Sequence, residues 1–541
     1  MTHARTGRRH KAGSNTGRSI RRGGAVLATT LLLAGCTVLG PDYKPPEWDS
    51  PATWFGPTRP KVPVVASVPA PQPIRTDWWE LFDDPQLTGL VRRVANQNLD
   101  VQIAATRLEA SRYQLALAEA AEVPRLNVGG GYIRQKSSRY GVLTANQPNT
   151  TNANGTSGLG VTGSPTRRSD PYDIFQGGFD AAWELDLWGK VARSVEAAEA
   201  NIQAAADAQR AVLLSTMAEV ARDYIQLRGA QAQLAIAHDN LRTQQRTLEL
   251  TRQRAAGGLT TDLDVANASA QVNRTASEIP LLQQREAALI NALSRLLGQP
   301  PNTLRAELEV EKPVPPVPPA VPVGVPSDLV RRRPDVRQAE ARLHAATANI
   351  GVAEAEFYPS FRLSGSAGFQ ALNFGQLFNL AASTFSVGPS VTMPIFEGGR
   401  LRANLALQET AQKEAAIEFQ QTVLQAWHEV DDALTAYQTE QARRDRLVRA
   451  VADNRRAVGL ARDRYQQGVA DFLTVLDTER LLLGTQQQLQ ASTTNVSEYL
   501  VALYKALGGG WETDLPVQAE TIPPAMAPAV TPVAAQVPAQ P

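Results

Sequence analysis

The chain is written twice. Leu99–Asp100–Val101 reappears as Pro334–Asp335–Val336, Arg107–Leu108 as Arg342–Leu343, and Glu119 and Pro124 as Glu354 and Pro359, all at an offset of 235. Further along the offset becomes 210: Gly189–Lys190 pairs with Gly399–Arg400, Gly258–Leu259 with Gly468–Val469, and Leu297–Gly298 with Leu507–Gly508. The first copy therefore carries 25 extra residues between Pro124 and Gly189. A duplication of this size makes each copy one unit with the same succession of elements, and it constrains every later reading.

Each copy reads as a helix, a strand pair and then very long helices. No proline lies between Gly189 and Pro280, or between Pro394 and Pro516. The run from Lys190 to the Gly257–Gly258 break is 67 residues, which as one helix spans roughly 100 Å. Helices of globular domains are far shorter, so the length argues for a coiled or barrel-like stalk. Leu213, Met217, Val220, Tyr224, Leu227, Gln231, Leu234, His238, Leu241, Gln245 and Leu248 step alternately by 4 and 3, a heptad seam that supercoils left-handedly. Ala416, Phe419, Val423, Trp427, Val430, Leu434 and Tyr437 follow a similar spacing in the second copy. Periodicity alone equally allows an ordinary soluble helical bundle.

The segments between the helices alternate with period two. Phe179, Ala181, Trp183, Leu185 and Leu187 are separated by residues that include Asp180, Glu184 and Asp186. In the second copy, Phe361, Leu363, Ala367 and Phe369 alternate with Arg362, Ser364, Ser366 and Gln370. Phe385, Val387, Val391, Met393 and Ile395 alternate with Ser386, Ser390 and Thr392. Leu126, Val128 and Tyr132 open the first hairpin. Such segments are strands with one apolar and one polar face. Runs of about ten residues fit tilted strands crossing a bilayer, although a soluble antiparallel sheet shares the pattern. Expected strands are 125–135, 174–188, 360–370 and 384–396. The 25 extra residues fall between the first two strands, around Asn146–Gly163, an Asn/Thr/Gly-rich stretch that reads as a loop.

The first 24 residues carry seven basic residues and no acidic one. A short apolar run, Ala25–Ala34, and then Leu33–Ala34–Gly35–Cys36 follow, which reads as a signal peptide over 1–35. The stretch resembles a bacterial lipobox, making Cys36 the lipidated first residue of the mature chain; Thr37 rather than aspartate after it implies outer-membrane sorting. Cys36 is the only cysteine, so no intrachain disulfide exists. Without residues 1–35 the chain has 47 Lys+Arg against 53 Asp+Glu, a net charge of about −6, which makes it a poor nucleic-acid binder. Proline then marks the boundaries: a Pro-rich arm over 36–76, a first repeat over 77–312, a Pro-rich linker over 313–328, a second repeat over 329–511, and a Pro/Ala-rich tail over 512–541 expected to be disordered.

Four strands cannot close, and an open edge in lipid leaves backbone groups unpaired. A barrel must then be shared among chains. Two chains give eight strands, whose interior side chains fill; three give twelve, with room for a water-filled lumen. A homotrimer is the simplest closed, symmetric solution. The expected fold is mainly α with a small β part: a duplicated unit building a trimeric α-barrel of long coiled helices and a shared 12-strand transmembrane β-barrel.

The chain resembles the outer-membrane efflux channel family of TolC, and more closely its lipidated, OprM-like branch. The matching stretches are Gly40–Pro41–Asp42–Tyr43, Asp77–Trp78–Trp79 with Phe82–Asp83–Asp84–Pro85, Trp183–Glu184–Leu185–Asp186–Leu187–Trp188–Gly189, Arg332–Arg333–Pro334–Asp335–Val336, Ile395–Phe396–Glu397–Gly398–Gly399–Arg400 and Leu507–Gly508–Gly509–Gly510–Trp511. The resemblance implies a passive efflux duct lipid-anchored in the outer membrane, extending into the periplasm and docking on a periplasmic adaptor and an inner-membrane pump of RND type. It implies adaptor-docking tips at Gly257–Gly258–Leu259 and Gln467–Gly468–Val469. This chain has Gly257 and Gln467 where TolC-like tips have valine. It also implies a periplasmic gate in which Leu473 and Asp477, four apart on one helix face, become rings under threefold symmetry. By residue type alone these are turn glycines and a surface aspartate beside a packed leucine.

No nucleophile elbow, P-loop, zinc spacing or Cys–His arrangement occurs. His238 falls on the heptad seam and is expected to be packed, and Glu340 with His344 lacks further metal ligands in the sequence. The chain is not expected to be an enzyme or to hold a cofactor beyond the lipid on Cys36. Two other readings remain: the outer-membrane duct of a type I protein secretion system, and a periplasmic coiled-coil lipoprotein without a pore.

Overall fold

The structure, a computed structural model, describes residues 38–46, 67–70, 72–136, 171–324 and 331–512. The signal peptide, Cys36, the Asn146–Gly163 loop and the tail beyond Glu512 lie outside these residues. The chain divides into two compact units, each drawing on both copies of the repeat. The first takes its residues from 1–44, 113–200 and 344–413, the second from 45–112, 201–343 and 414–541.

The strands β2 (Arg125–Gln135), β3 (Tyr172–Leu185), β5 (Ser360–Ala371) and β6 (Ser383–Thr392) form one sheet in the first unit, in the order β2-β3-β5-β6. Every pair is antiparallel. The register sorts the side chains. Leu126, Val128 and Tyr132 of β2 share one face with Phe175, Phe179, Trp183 and Leu185 of β3, Phe361, Leu363 and Phe369 of β5, and Phe385, Val387 and Val391 of β6. The other face carries the row Asn127–Asp180–Ser366–Ser386, in which Asn127 Nδ2 donates to Asp180 at 2.9 Å and the two serine hydroxyls lie 2.9 Å apart. A second polar row is Glu184–Arg362–Ser390, where Arg362 Nε and Nη2 both donate to Glu184 at 3.1 Å. Facing glycines let β3 and β5 approach closely: a Cβ on Gly368 would lie 2.5 Å from the Gly177 carbonyl oxygen.

The sequence pattern extends strands beyond where they end. β6 stops at Thr392, paired with Ser360, so Met393 and Ile395 fall outside it. Pro394 lacks the N–H a further ladder bond needs, and Pro359 precedes the partner strand. β3 starts earlier, at Tyr172, and ends at Leu185 before the turn to Gly189, whose φ is +76°.

Among the described residues, the longer helices are α1 (Pro85–Gln97), α2 (Leu99–Glu119), α3 (Lys190–Ala256), α4 (Asp262–Leu296), α5 (Pro334–Ala355), α6 (Arg400–Gln466) and α7 (Phe472–Ala506), and α2–α4 repeat as α5–α7. The long helices match in pairs, α3 and α6 at 67 residues each and α4 and α7 at 35. All four end in the same turn. Gly258, Gly298, Gly468 and Gly508 have φ between +65° and +76°, and the residue after each glycine bonds back five positions. This is the Schellman motif, which satisfies the last carbonyls and favours glycine at the left-handed position. α4 runs through Pro280, its counterpart in α7 being Gln490.

The core of the second unit centres on Trp78, Trp79, Phe82, Leu87, Leu90 and Val94, with the Trp78 ring stacked on Tyr504 at 5.7 Å. In the same unit β1 (Val68–Ala70) pairs in parallel with β4 (Ala320–Pro322), joining a piece of the N-terminal arm to a piece of the linker. Along α3 the heptad seam is buried from Leu213 to Leu234. It then shifts: Ala237, Gln244, Leu248 and Thr251 are buried, while His238 and Gln245 are exposed. Two consecutive steps of three, Gln231 to Leu234 to Ala237, make this a stammer that overwinds the coil locally. The expectation that His238 is packed is therefore corrected, because the seam leaves its position. In α6, Ala426 is buried and Trp427 only half-buried.

Candidate functional site

In the first unit, the residues just after Cys36 are fastened down. Leu39 N–H donates to the Trp188 carbonyl at 3.1 Å. Gly40, at φ +88°, lies so close to Gly351 that a Cβ would meet the Gly351 Cα at 2.4 Å. The Arg193 guanidinium, only 5% exposed, spans the segment. Nε donates to Leu39 O at 2.9 Å, and Nη2 donates to Gly40 O at 3.2 Å and to Asp42 at 2.7 Å. Nη1 donates to Glu196 at 2.7 Å. Glu196 also lies 3.0 Å from His344 Nε2, and His344 stacks under Tyr43 at 4.3 Å. Burial works against the Glu196 charge, yet Arg193 and His344 together hold its carboxyl below the ordinary 4.5.

The remaining candidate residues lie in the second unit. Gly258 and Gly468 occupy the left-handed positions of the two turns, Gly257 and Gln467 precede them, and Leu259 and Val469 project into solvent. The helices that follow are capped differently. Thr261 at the start of α4 bonds with Asp264 at 3.2 Å, whereas Asp471 at the start of α7 accepts from Thr474 N at 3.0 Å. The bonds from Thr474 lower the Asp471 pKa.

The first turns of α7 divide cleanly. Phe472, Val475 and Leu476 are buried with Leu248, Ala268, Ala461 and Tyr465 in one cluster that takes residues from α3, α4, α6 and α7. Leu473 is 51% exposed and Asp477 is exposed beside it, one turn along. The Arg480 guanidinium lies 3.9 Å from Asp477 and donates through Nε to Gln271 at 2.9 Å. Both candidate gate residues thus point away from the core of their own chain.

Sequence reasoning missed the groups that tie the two turns together. Arg254, at the end of α3, donates to the Tyr465 carbonyl at 2.9 Å and lies over the Tyr465 ring at 4.4 Å. Tyr465 in turn packs on Phe472 at 5.6 Å. Arg462 donates twice to the buried Glu479, the shorter bond being 2.7 Å. The signal available was the mismatch between copies: at the offset of 210, Tyr465 answers Ala255 and Glu479 answers Ser269. Among the described residues no group of three or more His, Cys, Asp or Glu could hold a metal ion. No described helix is long and apolar enough to cross a membrane.

Comparison with known proteins meets this geometry. The toluene efflux pump outer membrane protein TtgF of Pseudomonas putida is 32% identical over 492 residues, 90% of this chain and 96% of that protein. Nodulation protein T of Rhizobium leguminosarum bv. trifolii is 32% identical over 487 residues, 89% and 96% of the two chains. Among solved structures, the outer-membrane channel OprN superposes with a TM-score of 0.77 at 33% identity, covering 88% of this chain and 100% of that one. The family model described as outer membrane efflux protein matches residues 90–299 and 325–509. Those segments start 235 residues apart and end 210 apart, the two offsets of the repeat. The chain belongs to the outer membrane efflux protein family.

Proposed function

We propose that this chain is the channel component of a tripartite efflux system, a passive homotrimeric duct that carries small toxic molecules from a periplasmic adaptor and an inner-membrane pump, of RND type, to the exterior. The observation that carries this reading is the four-stranded sheet, with an apolar face, a face of hydrogen-bonded polar rows, and two outer strands, β2 and β6, whose outer edges are unpaired among the described residues. In lipid such edges must be paired. Because the chain supplies an even number of strands, β6 of one copy meets β2 of the next antiparallel, and three copies close twelve strands around a polar lumen. The lipid on Cys36 is a second membrane attachment.

The same symmetry turns Leu473 and Asp477 into rings. Three leucines narrow and dry the passage, and three carboxylates repel one another and favour cations. The turns at Gly257–Gly258–Leu259 and Gln467–Gly468–Val469 offer Leu259 and Val469 to the adaptor. Energy comes from the pump. The names of relatives that export toluene, solvents or antibiotics support small-molecule cargo.

Planar-bilayer recording of the purified protein tests the reading. Stepwise, cation-favouring conductance is expected. A protein that is folded and inserts without conducting is a tether, not a duct. In cells, removing the gene should sensitise them to solvents or antibiotics; accumulation of a normally secreted protein instead would favour the type I secretion reading.

A further inference from the structure

Beyond Arg362 near its start, the hairpin formed by β5 and β6 is uncharged: from Leu363 to Phe396 there is no Asp, Glu, Lys or Arg. Its connection, residues 372–382, is a loop beyond the strand ends that carries five large apolar side chains, and three of them are strongly exposed. Phe374 is 64%, Phe378 77% and Leu380 83% exposed. Two of them turn back onto the sheet. Phe374 meets Phe175 edge-on at 5.6 Å, and Phe378 meets Phe369 at 6.2 Å. Phe175 and Phe369 both belong to the apolar face. The loop therefore leans over the outside of the sheet, continuing its apolar surface, and not over the polar rows.

Two further observations fit an apolar surrounding. The N–H groups of Gln376, Leu377, Asn379, Ala381 and Ala382 are all bonded within the loop, four of them to its carbonyls and that of Ala381 to the Asn379 side chain. Internal bonding of these five of the loop's eleven N–H groups lowers the cost of leaving water. The same end of the sheet also shows a polarity boundary. Tyr132 packs on Phe175 at 4.9 Å with its hydroxyl donating to Asp173, and Arg134 lies 3.6 Å from Asp173. An aromatic row followed at once by a charged pair is the order found where hydrocarbon gives way to headgroups.

We propose that the β5–β6 connection is a lipid-seated anchor. Phe374, Phe378 and Leu380 rest among membrane acyl chains at their boundary with the headgroups, fixing the depth of the barrel on its outer side. This rests on the sheet being membrane-spanning, and the occupant follows from the loop's continuity with that lipid-facing surface.

Nitroxide labels test it, placed singly at Phe378→Cys and Leu380→Cys on a Cys36→Ser background in liposomes. Accessibility to oxygen, which partitions into lipid, is compared with accessibility to a water-soluble nickel chelate. Controls are Val387→Cys on the apolar face, Ser386→Cys on the polar face and Arg134→Cys at the boundary. The oxygen-to-nickel ratio at 378 and 380 should exceed that at 134 and 386 severalfold and approach that at 387. Ratios like that at 134, with 387 still lipid-exposed, overturn the anchor and leave the barrel standing. Protection from both reagents with spin–spin broadening means that another copy covers the loop, which also overturns it. A water-exposed 387 refutes the membrane-spanning sheet itself, and the anchor with it.

Discussion

At the scale of single residues, most of the chemistry is positional. Leu473 and Asp477 are ordinary side chains whose significance comes from facing outward while Phe472, Val475 and Leu476 face inward. Replacing Leu473 or Asp477 with alanine should leave folding nearly unchanged, since neither is buried, and should raise single-channel conductance or open probability. Conductance equal to wild type in both would remove them from the gate. The clasp around Glu196 makes a pH prediction. A carboxyl whose folded pKa lies below its ordinary 4.5 adds stability that is complete above that value and drains away as pH falls through the folded pKa. Hydrogen exchange at the Leu39 amide, corrected for intrinsic rates, should be constant from neutral pH down to about 5 and should accelerate below about 4.5. In Glu196→Gln, which cannot hold the Arg193 charge, exchange should be fast throughout.

At the scale of elements, the long helices and their ends were legible in the sequence for a simple reason. Glycine at a left-handed position and the absence of proline are local facts, and Gly258 and Gly468 end their helices where those facts say. Placing alanine at Gly468 should cost about 1–2 kcal/mol through its left-handed backbone. The cost should appear as faster amide exchange around Val469, with the Gly508 turn unaffected; equal exchange in the mutant would argue against a strained turn. Alternation likewise gave the strands and both faces of the sheet, but not their limits, because Pro394 and Pro359 act through pairing across strands. The seam of α3 was legible as far as Leu234. Its shift to Ala237 and Gln244 depends on what the neighbouring helices present, so His238 was misread. The link from Arg254 to Tyr465 was invisible for the same reason: its partners are 211 residues apart and belong to different copies of the repeat.

At the scale of the whole molecule, closure is what relates the parts. Among the described residues, one chain supplies a four-stranded sheet with an apolar face and two open edges, and the family it belongs to resides in the outer membrane. In the proposed trimer, shared edges pair the open backbone, the polar rows face a common interior, and Leu473 and Asp477 form rings. The most direct measurement is disulfide trapping between cysteines placed on β2 and β6, for example Val128→Cys with residues along β6 from Phe385 to Val391, on a Cys36→Ser background in native membranes. Shared closure predicts a register-dependent ladder of linked chains that ends at three. No cross-link at any register, a ladder that ends at two, or one that continues past three would contradict it.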